Sequence, residues 1–232
     1  MTTESTPLLN LNVMKIHSRE SLKDKASVIV LNAGLLLFIG LVVSVLVRLP
    51  FNLFTYHPIF MILFVTCCTE GIALLQSTRT TQEKKRGLRH HAIVQVVGYI
   101  SAIIGFTAIV YNKVVSDKEH FTSLHGQLGL ALFCYLFCQS LFGLLIAYTP
   151  SLIFGNVATA KRLWKFHRMT GYILLVLVWL TAQLGVRADY MISNLWSEKL
   201  MWLHWVALLF VIVGIVARIR LWKWGITSPP QL

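Results

Sequence analysis

The chain alternates long apolar blocks with short polar segments. Six blocks approach the length of about 20 apolar residues that crosses the hydrocarbon core of a bilayer as a helix. They lie at about 26–47, 54–76, 92–111, 124–148, 169–187 and 200–217. In hydrocarbon only helices and closed barrels satisfy the backbone, and barrel strands are much shorter than these blocks. The pattern therefore predicts six transmembrane helices.

The resulting architecture is an all-α membrane protein with one domain. We assign residues 1–25 to a cytoplasmic N-terminal tail, 26–222 to the six-helix domain and 223–232 to a cytoplasmic C-terminal tail. Composition agrees, because 56% of the 232 residues are hydrophobic and only 13% are charged, which lies outside the usual range of soluble domains. No length remains for a separate soluble domain.

The positive charges lie mostly on one side of the predicted membrane. With a cytoplasmic N-terminus, sixteen of the 21 Lys and Arg residues fall in cytoplasmic segments and five on the far side. The five are Arg48, Lys113, Lys118, Arg187 and Lys199. This bias in short loops places both termini in the cytoplasm. The net charge of +12 therefore indicates topology and contact with membrane lipid, and we expect no nucleic-acid partner.

Four histidines stand at or near the starts of the four middle apolar segments. They are His57, His91, His125 and His167. Successive helices cross in opposite directions, so His57 and His125 share the outer level and His91 and His167 share the cytoplasmic level. Ionisable residues at such depths are functional candidates by default. The spacing predicts two bis-histidine sites roughly 15–20 Å apart, from the helix rise and the thickness of the bilayer core.

Glycines follow these histidines on the same helix faces. Gly129 and Gly171 come four residues after their histidines, and Gly98 seven after, which leaves room for a flat macrocycle beside each ligand. Four further glycines come fourteen or eighteen residues after a histidine and are expected beside the cofactor of the opposite level. They are Gly71, Gly105, Gly143 and Gly185. Close helix packing is the alternative explanation for all of them.

Haem iron suits these ligands better than other metals. A di-iron site in a helical bundle is built from several inward-facing carboxylates, whereas Glu70 is the only acidic residue inside a predicted span. Imidazoles from separate helices are typical axial ligands of haem. We therefore expect helices two to five to form a four-helix bundle that holds two haems.

At these positions the chain resembles the cytochrome b-561 family of six-helix, two-haem transmembrane reductases. The resemblance covers about residues 26–220 and is carried by Tyr56-His57-Pro58, by Ser123-Leu124-His125, and by the histidines His91 and His167. The segment from Lys118 to Gln127 is most similar to the branch named cytochrome b-561 domain-containing proteins.

The resemblance implies two b haems per chain and an oxidoreductase that carries electrons across the membrane. His57 and His125 would ligate the outer haem iron, and His91 and His167 the cytoplasmic one. Ascorbate would be the cytoplasmic donor. The acceptor on the luminal or extracellular side would be monodehydroascorbate radical or ferric iron. The resemblance also suggests a homodimer.

In this family, basic residues just before the third and fifth helix histidines bind ascorbate. The corresponding cations here are Lys85, Arg89, Lys161, Arg162 and Lys165. A cluster of cations suits an anionic donor and haem propionates, although anchoring at the cytoplasmic interface explains the same residues. Arg89 stands where relatives often have lysine.

On the far side the sequence departs from the ascorbate-regenerating relatives. They carry an aromatic–histidine pair about eleven residues before the fourth-helix histidine, and this chain has Val114 there. The nearest substitutes are His120 and Tyr111. His120 is either an acceptor-side ligand or proton donor, or a solvated loop residue. Ferric reduction, which needs a less shaped pocket, is thus at least as well supported as radical reduction.

Location and the main rival function follow from weaker signals. Glu4 with Leu8 and Leu9 resembles an acidic dileucine sorting signal, which points to endosomes or lysosomes. We expect an endomembrane, either the endoplasmic reticulum or endosomes and lysosomes, in preference to the plasma membrane. The rival to a reductase is a non-enzymatic membrane haem protein that serves as an electron-transfer partner or sensor. It would keep the four histidines without rapid reduction by ascorbate.

Overall fold

A computed structural model describes residues 6–76, 78, 80–194 and 198–220. Within these residues the chain is helical and contains no strand. The long helices are α1 (Thr6–Leu46), α2 (Tyr56–Gln76), α3 (Thr81–Val115), α4 (Leu124–Tyr148) and α6 (Val157–Val186). The shorter ones are α5 (Pro150–Phe154), α7 (Asp189–Asn194) and α8 (Leu203–Val216), with 3-10 turns at Leu53–Thr55 and Glu198–Leu200. The prediction of an all-α fold is confirmed.

Five helices in the described part of the chain are long and apolar enough to cross a membrane. Their apolar stretches are Leu22–Leu46, Leu53–Gln76, Thr81–Val115, Leu124–Tyr148 and Val157–Val186. Large apolar side chains such as Leu36 and Val176, each 67% exposed, cover their outer faces, as expected for surfaces that contact lipid. The sixth predicted span corresponds to α8, which has 14 residues and so measures about 21 Å. Six crossings stay a prediction.

The third and fifth predicted helices begin about ten residues earlier than the sequence indicated. Thr80 caps α3 because its hydroxyl accepts the Glu83 N–H, while the Glu83 carboxylate accepts the Thr80 N–H. Asn156 caps α6 by accepting the Thr159 N–H at 2.8 Å. Polar turns thus continue both helices beyond the apolar blocks, and the prediction that His91 and His167 stand at helix starts was wrong.

The N-terminal segment is also helical from Thr6 onward. Leu8 and Leu9 of the dileucine-like motif fall within α1, while Glu4 lies outside the described residues. Residues 223–232, the predicted C-terminal tail, lie outside them as well.

Three helix pairs form the molecule: α1 with α8, α2 with α3, and α4 with α6. Trp179 on α6 joins α1 and α2 to the α4–α6 pair. Its indole N–H donates to the Thr69 hydroxyl on α2 at 3.1 Å, and its ring meets Phe38 of α1 edge-to-face at 5.1 Å. We call α2, α3, α4 and α6 the histidine helices, because each carries one of the four histidines singled out above.

Candidate haem sites

The structure brings His57 and His125 together between the α2–α3 pair and the α4–α6 pair. Their ring centroids are 6.1 Å apart and their planes are inclined at 78°. Two metal–imidazole bonds of about 2 Å each, together with the two ring radii, span nearly this distance. The two rings could therefore hold one metal ion between them.

His91 and His167 are the second predicted pair, and they lie on α3 and α6. Each is about ten residues into its helix, so both belong to the end at which α3 and α6 begin. Each level thus takes one histidine from each helix pair, which is the combination that alternating helix directions predict.

Three of the four rings are oriented by backbone carbonyls of the packed partner helix. In each, Nδ1–H donates to a carbonyl oxygen: His57 to Gly105 at 3.0 Å, His91 to Gly71 at 2.7 Å and His125 to Thr181 at 3.0 Å. A proton held at Nδ1 leaves Nε2 as the nitrogen with a free lone pair. This is the usual orientation of a metal-binding histidine.

His167 has a different partner. The side-chain amide of Gln139 on α4 places Nε2 at 3.3 Å from Nδ1 of His167 and donates to the His167 carbonyl oxygen at 2.7 Å. Gln139 did not emerge from the sequence analysis. Its polarity within a membrane span and its place fourteen residues after His125 could have identified Gln139.

On each histidine helix, the residue fourteen positions after the histidine contacts the histidine ring of the packed partner helix. The four orienting residues are Gly71, Gly105, Gln139 and Thr181, and each follows the histidine of its own helix by fourteen positions. Fourteen residues are nearly four helical turns and about 21 Å. Each histidine helix thus presents a ligand candidate at one level and an orienting group on the same face at the other.

The glycines serve purposes that differ from the prediction. A Cβ at Gly143 would lie 2.7 Å from Cε1 of His167, and one at Gly185 would lie 2.9 Å from Cε1 of His125. The space beside each of these two glycines is filled by a histidine ring of the packed helix, so a macrocycle does not occupy it. A Cβ at Gly98 would meet the Cys67 Cβ at 2.9 Å, so Gly98 permits helix packing. The expected cofactor space at these three positions was wrong.

Gly129 does face open space. A Cβ there would come no closer than 4.0 Å to its nearest neighbour, the Cγ2 of Thr181. Gly129, His57 and His125 line a largely apolar cavity of about 370 Å³, within the range of small-molecule and cofactor sites. An apolar cavity with two convergent imidazoles fits a haem.

The predicted ascorbate residues stand at the opposite end from this cavity. Lys85 and Arg89 lie in the first turns of α3, and Lys161, Arg162 and Lys165 in the first turns of α6. All five are exposed. Lys85 and Arg89 precede His91 on α3, and the three cations of α6 precede His167, so all five lie between the start of their helix and its histidine.

His120 lies at the mouth of the cavity beside His57 and His125, in the loop before α4. It is exposed and touches Phe121. Lys113, which entered the sequence prediction only through its charge, lines the same mouth and donates from Nζ to the Glu119 carbonyl at 2.5 Å. Asp117 and Phe121 adopt left-handed backbone conformations, with φ of 50° and 54°, which are sparsely populated and occur at functional loops.

The fold and site define a class: a multi-pass helical membrane protein that carries four half-buried histidines, two of which face each other. A family model described as eukaryotic cytochrome b561 matches residues 56–193, which is more than half of the chain. The chain therefore belongs to the cytochrome b561 family, as its resemblance predicted. Membership implies haem b as the cofactor.

Individual relatives are named as transmembrane reductases. Transmembrane reductase CYB561D2 of Mus musculus is 28% identical over 136 residues, which cover 57% of this chain and 61% of the mouse protein. The human protein of the same name is 26% identical over 161 residues, covering 64% and 72%. Transmembrane ascorbate ferrireductase 2 of Arabidopsis thaliana is 27% identical over 137 residues, covering 58% and 57%. The names of these relatives support oxidoreductase activity.

Proposed function

We propose that this protein carries electrons from cytoplasmic ascorbate across a membrane to an acceptor on the luminal or extracellular side. Two b haems per chain would be held by the histidine pairs His57–His125 and His91–His167. The acceptor would be monodehydroascorbate radical or ferric iron. The observation that carries the proposal is the pairing of four histidines, two at each end of the same four helices, within a family of b-type cytochromes.

The protein's own part in the reaction is ligation, orientation and separation. Haem supplies one-electron storage and transfer when it is bound, and the polypeptide sets its surroundings. Nδ1–H donation by His57, His91 and His125 fixes ring direction and leaves Nε2 for iron. The fourteen-residue spacing keeps the two levels about 21 Å apart.

Electrostatics supports the cytoplasmic end as the donor end. Ascorbate is an anion near neutral pH, and the five exposed cations on α3 and α6 would raise its local concentration. The excess of Lys and Arg in cytoplasmic loops would place both termini in the cytoplasm. Two cytoplasmic termini require an even number of crossings, so α8 would be the sixth. On this orientation, His120 and Lys113 at the mouth of the outer cavity would meet the acceptor.

We also propose an endomembrane location, either the endoplasmic reticulum or endosomes and lysosomes, and the dileucine-like motif points to the second of these. A homodimer is proposed from the family resemblance alone.

The test is a visible spectrum of the full-length protein purified in detergent, recorded before and after ascorbate is added, with haem and protein quantified. We expect two haems per chain and a prompt b-type reduced spectrum, followed by reoxidation with a ferric chelate or with monodehydroascorbate. Two haems that ascorbate does not reduce would favour the partner or sensor function. Folded protein without haem, made with adequate haem supply, would refute the proposal.

The donor end has its own test. Arg89→Gln and Lys165→Gln should each raise the ascorbate concentration needed for half-maximal reduction, because each removes a cation beside the His91–His167 level. Lys118→Gln, which removes an exposed cation from the loop before α4, is the matched control and should leave that concentration unchanged. Equal effects of all three variants would contradict the assigned donor end.

A further inference from the structure

The cavity beside His57 and His125 is apolar in its depth and carries a charge only at its mouth. Phe64 and Leu132, which follow the two histidines by seven residues on their helices, line the depth. Among the described residues that line this cavity, Lys113 is the only one with a formal charge. A ligand in the cavity therefore meets a single lysine, at one edge.

The helix face that leads to Lys113 explains its position. Ala102, Phe106 and Ile109 recur at spacings of four and three residues along α3 and line the cavity, as residues on one helix face do. Lys113 continues this face four residues later, in the last turn of α3, and is half-buried. An apolar face that ends in lysine places the stem of that side chain along the cavity wall and its ammonium group at the rim.

The ammonium group of Lys113 is held at the mouth by the loop before α4. Its Nζ donates to the Glu119 carbonyl oxygen at 2.5 Å. Two residues further on, Phe121 stacks on Phe106 of α3, with ring centroids 6.4 Å apart and planes inclined at 18°. An ammonium group has three N–H donors, and the Glu119 carbonyl is the one acceptor that the described residues offer it. Two donors therefore remain for a ligand.

The chemistry of a haem is divided in the same way as that of this cavity. Its macrocycle is apolar, whereas its two propionates are anionic at neutral pH. A carboxylate buried among apolar side chains without a partner is strongly disfavoured, so the propionate edge has to face the mouth. A carboxylate there would meet the Lys113 ammonium, and a hydrogen bond between two charged groups is stronger than one between neutral groups.

We infer that Lys113 binds a propionate of the haem held between His57 and His125 and thereby sets which edge of the macrocycle faces the mouth of the cavity. The inference rests on the proposed function, because it requires a haem at these two histidines. An electron acceptor that reaches this edge would meet a propionate whose charge the lysine balances, so an anionic acceptor would not be repelled. The alternative is that Lys113 only fastens the loop through the Glu119 carbonyl.

Lys113→Gln separates these two roles of the lysine. A glutamine can keep an N–H for the Glu119 carbonyl, but it has no charge to pair with a propionate. The purified holoprotein and the variant are compared by resonance Raman spectroscopy, which reports the bending band of haem propionates, and by potentiometric titration.

Two changes at one haem are expected in Lys113→Gln. Its propionate band should shift, because the charged hydrogen-bond partner is gone. Its midpoint potential should fall, because reduction adds a negative charge that a nearby ammonium group stabilises. The affected haem should be the one that His57→Ala removes.

Lys113→Arg and Lys118→Gln are the matched controls. Lys113→Arg retains a cation with several N–H donors at the same position and should keep the band and both potentials close to their unmodified values. Lys118→Gln removes an exposed cation of the same loop that does not line the cavity, and it should change neither measurement.

The possible results separate the hypotheses. An unchanged propionate band and unchanged potentials in Lys113→Gln would assign Lys113 to the loop alone and overturn the inference. The same unchanged spectra with a higher ferric-chelate concentration for half-maximal reoxidation would assign the cation to the acceptor and overturn it as well. If Lys113→Gln loses the haem, Lys113→Arg decides: a retained haem with an unmodified propionate band supports the inference, and a lost haem overturns it. Fewer than two haems in the unmodified protein would instead refute the proposed function.

Discussion

The α1–α8 pair and the histidine helices use the same residue type for different contacts. In α1–α8, a Cβ at Gly34 would lie 2.7 Å from the Ala207 carbonyl oxygen, and one at Gly214 would lie 2.7 Å from the Leu31 Cβ. In the histidine helices, the corresponding neighbours of Gly143 and Gly185 are imidazole rings. Glycine in a membrane helix thus indicates close approach, and only the neighbour reveals whether the approach serves packing or a cofactor.

Replacing one of the four histidines should have the largest effect, a loss of haem that no change in the α1–α8 pair should cause. His57→Ala and His125→Ala should each remove one haem, and His91→Ala and His167→Ala the other, because one imidazole cannot complete a bis-histidine site. Haem per chain and the spectrum of the remaining haem measure this. His90→Ala, at the exposed residue beside His91, is the control and should retain both. Loss of the same haem in all four variants would contradict the pairing.

Adding a methyl group beside a ring should act next most strongly. Gly143→Ala should displace His167, and Gly185→Ala should displace His125, because the new Cβ would lie under 3 Å from each ring. We expect each variant to lose most of one haem, a different haem in each case. Gly40→Ala is the control, since no atom lies within 4 Å of its Cβ position. Full haem content in both ring-side variants would show that the rings can move aside.

The same substitution in the other region should weaken the fold and spare the cofactors. Gly34→Ala and Gly214→Ala would overpack the α1–α8 contact, at a cost of about 1–3 kcal/mol. Thermal unfolding in detergent should start at lower temperature while haem per chain stays at the unmodified value. Haem loss at a temperature where the helices remain folded would contradict the prediction that Gly34 and Gly214 serve only helix packing.

The smallest effect should come from the residue that links the regions. Trp179→Phe removes the indole N–H that donates to the Thr69 hydroxyl and keeps an aromatic ring against Phe38. One buried hydrogen bond is worth about 1 kcal/mol, so we expect a slight fall in unfolding temperature and unchanged spectra. Thr69→Val in the Trp179→Phe background should cost only the remaining bond of the Thr69 hydroxyl, which donates to the Val65 carbonyl at 2.7 Å.

Much of the fold followed from patterns that are long and repeated. Apolar blocks of about 20 residues predicted the five long apolar helices, and alternation of direction predicted that His57 and His125 lie together. Helix starts were predicted poorly at Thr81 and Val157, because capping by Thr80 and Asn156 extends a helix through polar residues that hydropathy assigns to loops.

The chemistry around the histidines was less accessible from sequence. A carbonyl acceptor such as that of Thr181 belongs to the backbone, so the residue type at that position carries little information about it. Gly143 and Gly185 were predicted to lie beside a cofactor, whereas they lie beside histidine rings. The sequence of one helix does not show its depth relative to the helix packed against it. Gln139 needed the fourteen-residue relation, which became visible only once the neighbouring carbonyls were in place.

Each helix pair carries one histidine of each level: His57 and His91 on α2–α3, His125 and His167 on α4–α6. Neither pair can therefore complete a site by itself, although each can orient its own rings before meeting the other. A bound haem would link the α2–α3 pair to the α4–α6 pair at each of the two histidine levels. Maturation of the protein in its membrane would then depend on haem supply as well as on the Trp179 contacts that join α4–α6 to α1 and α2.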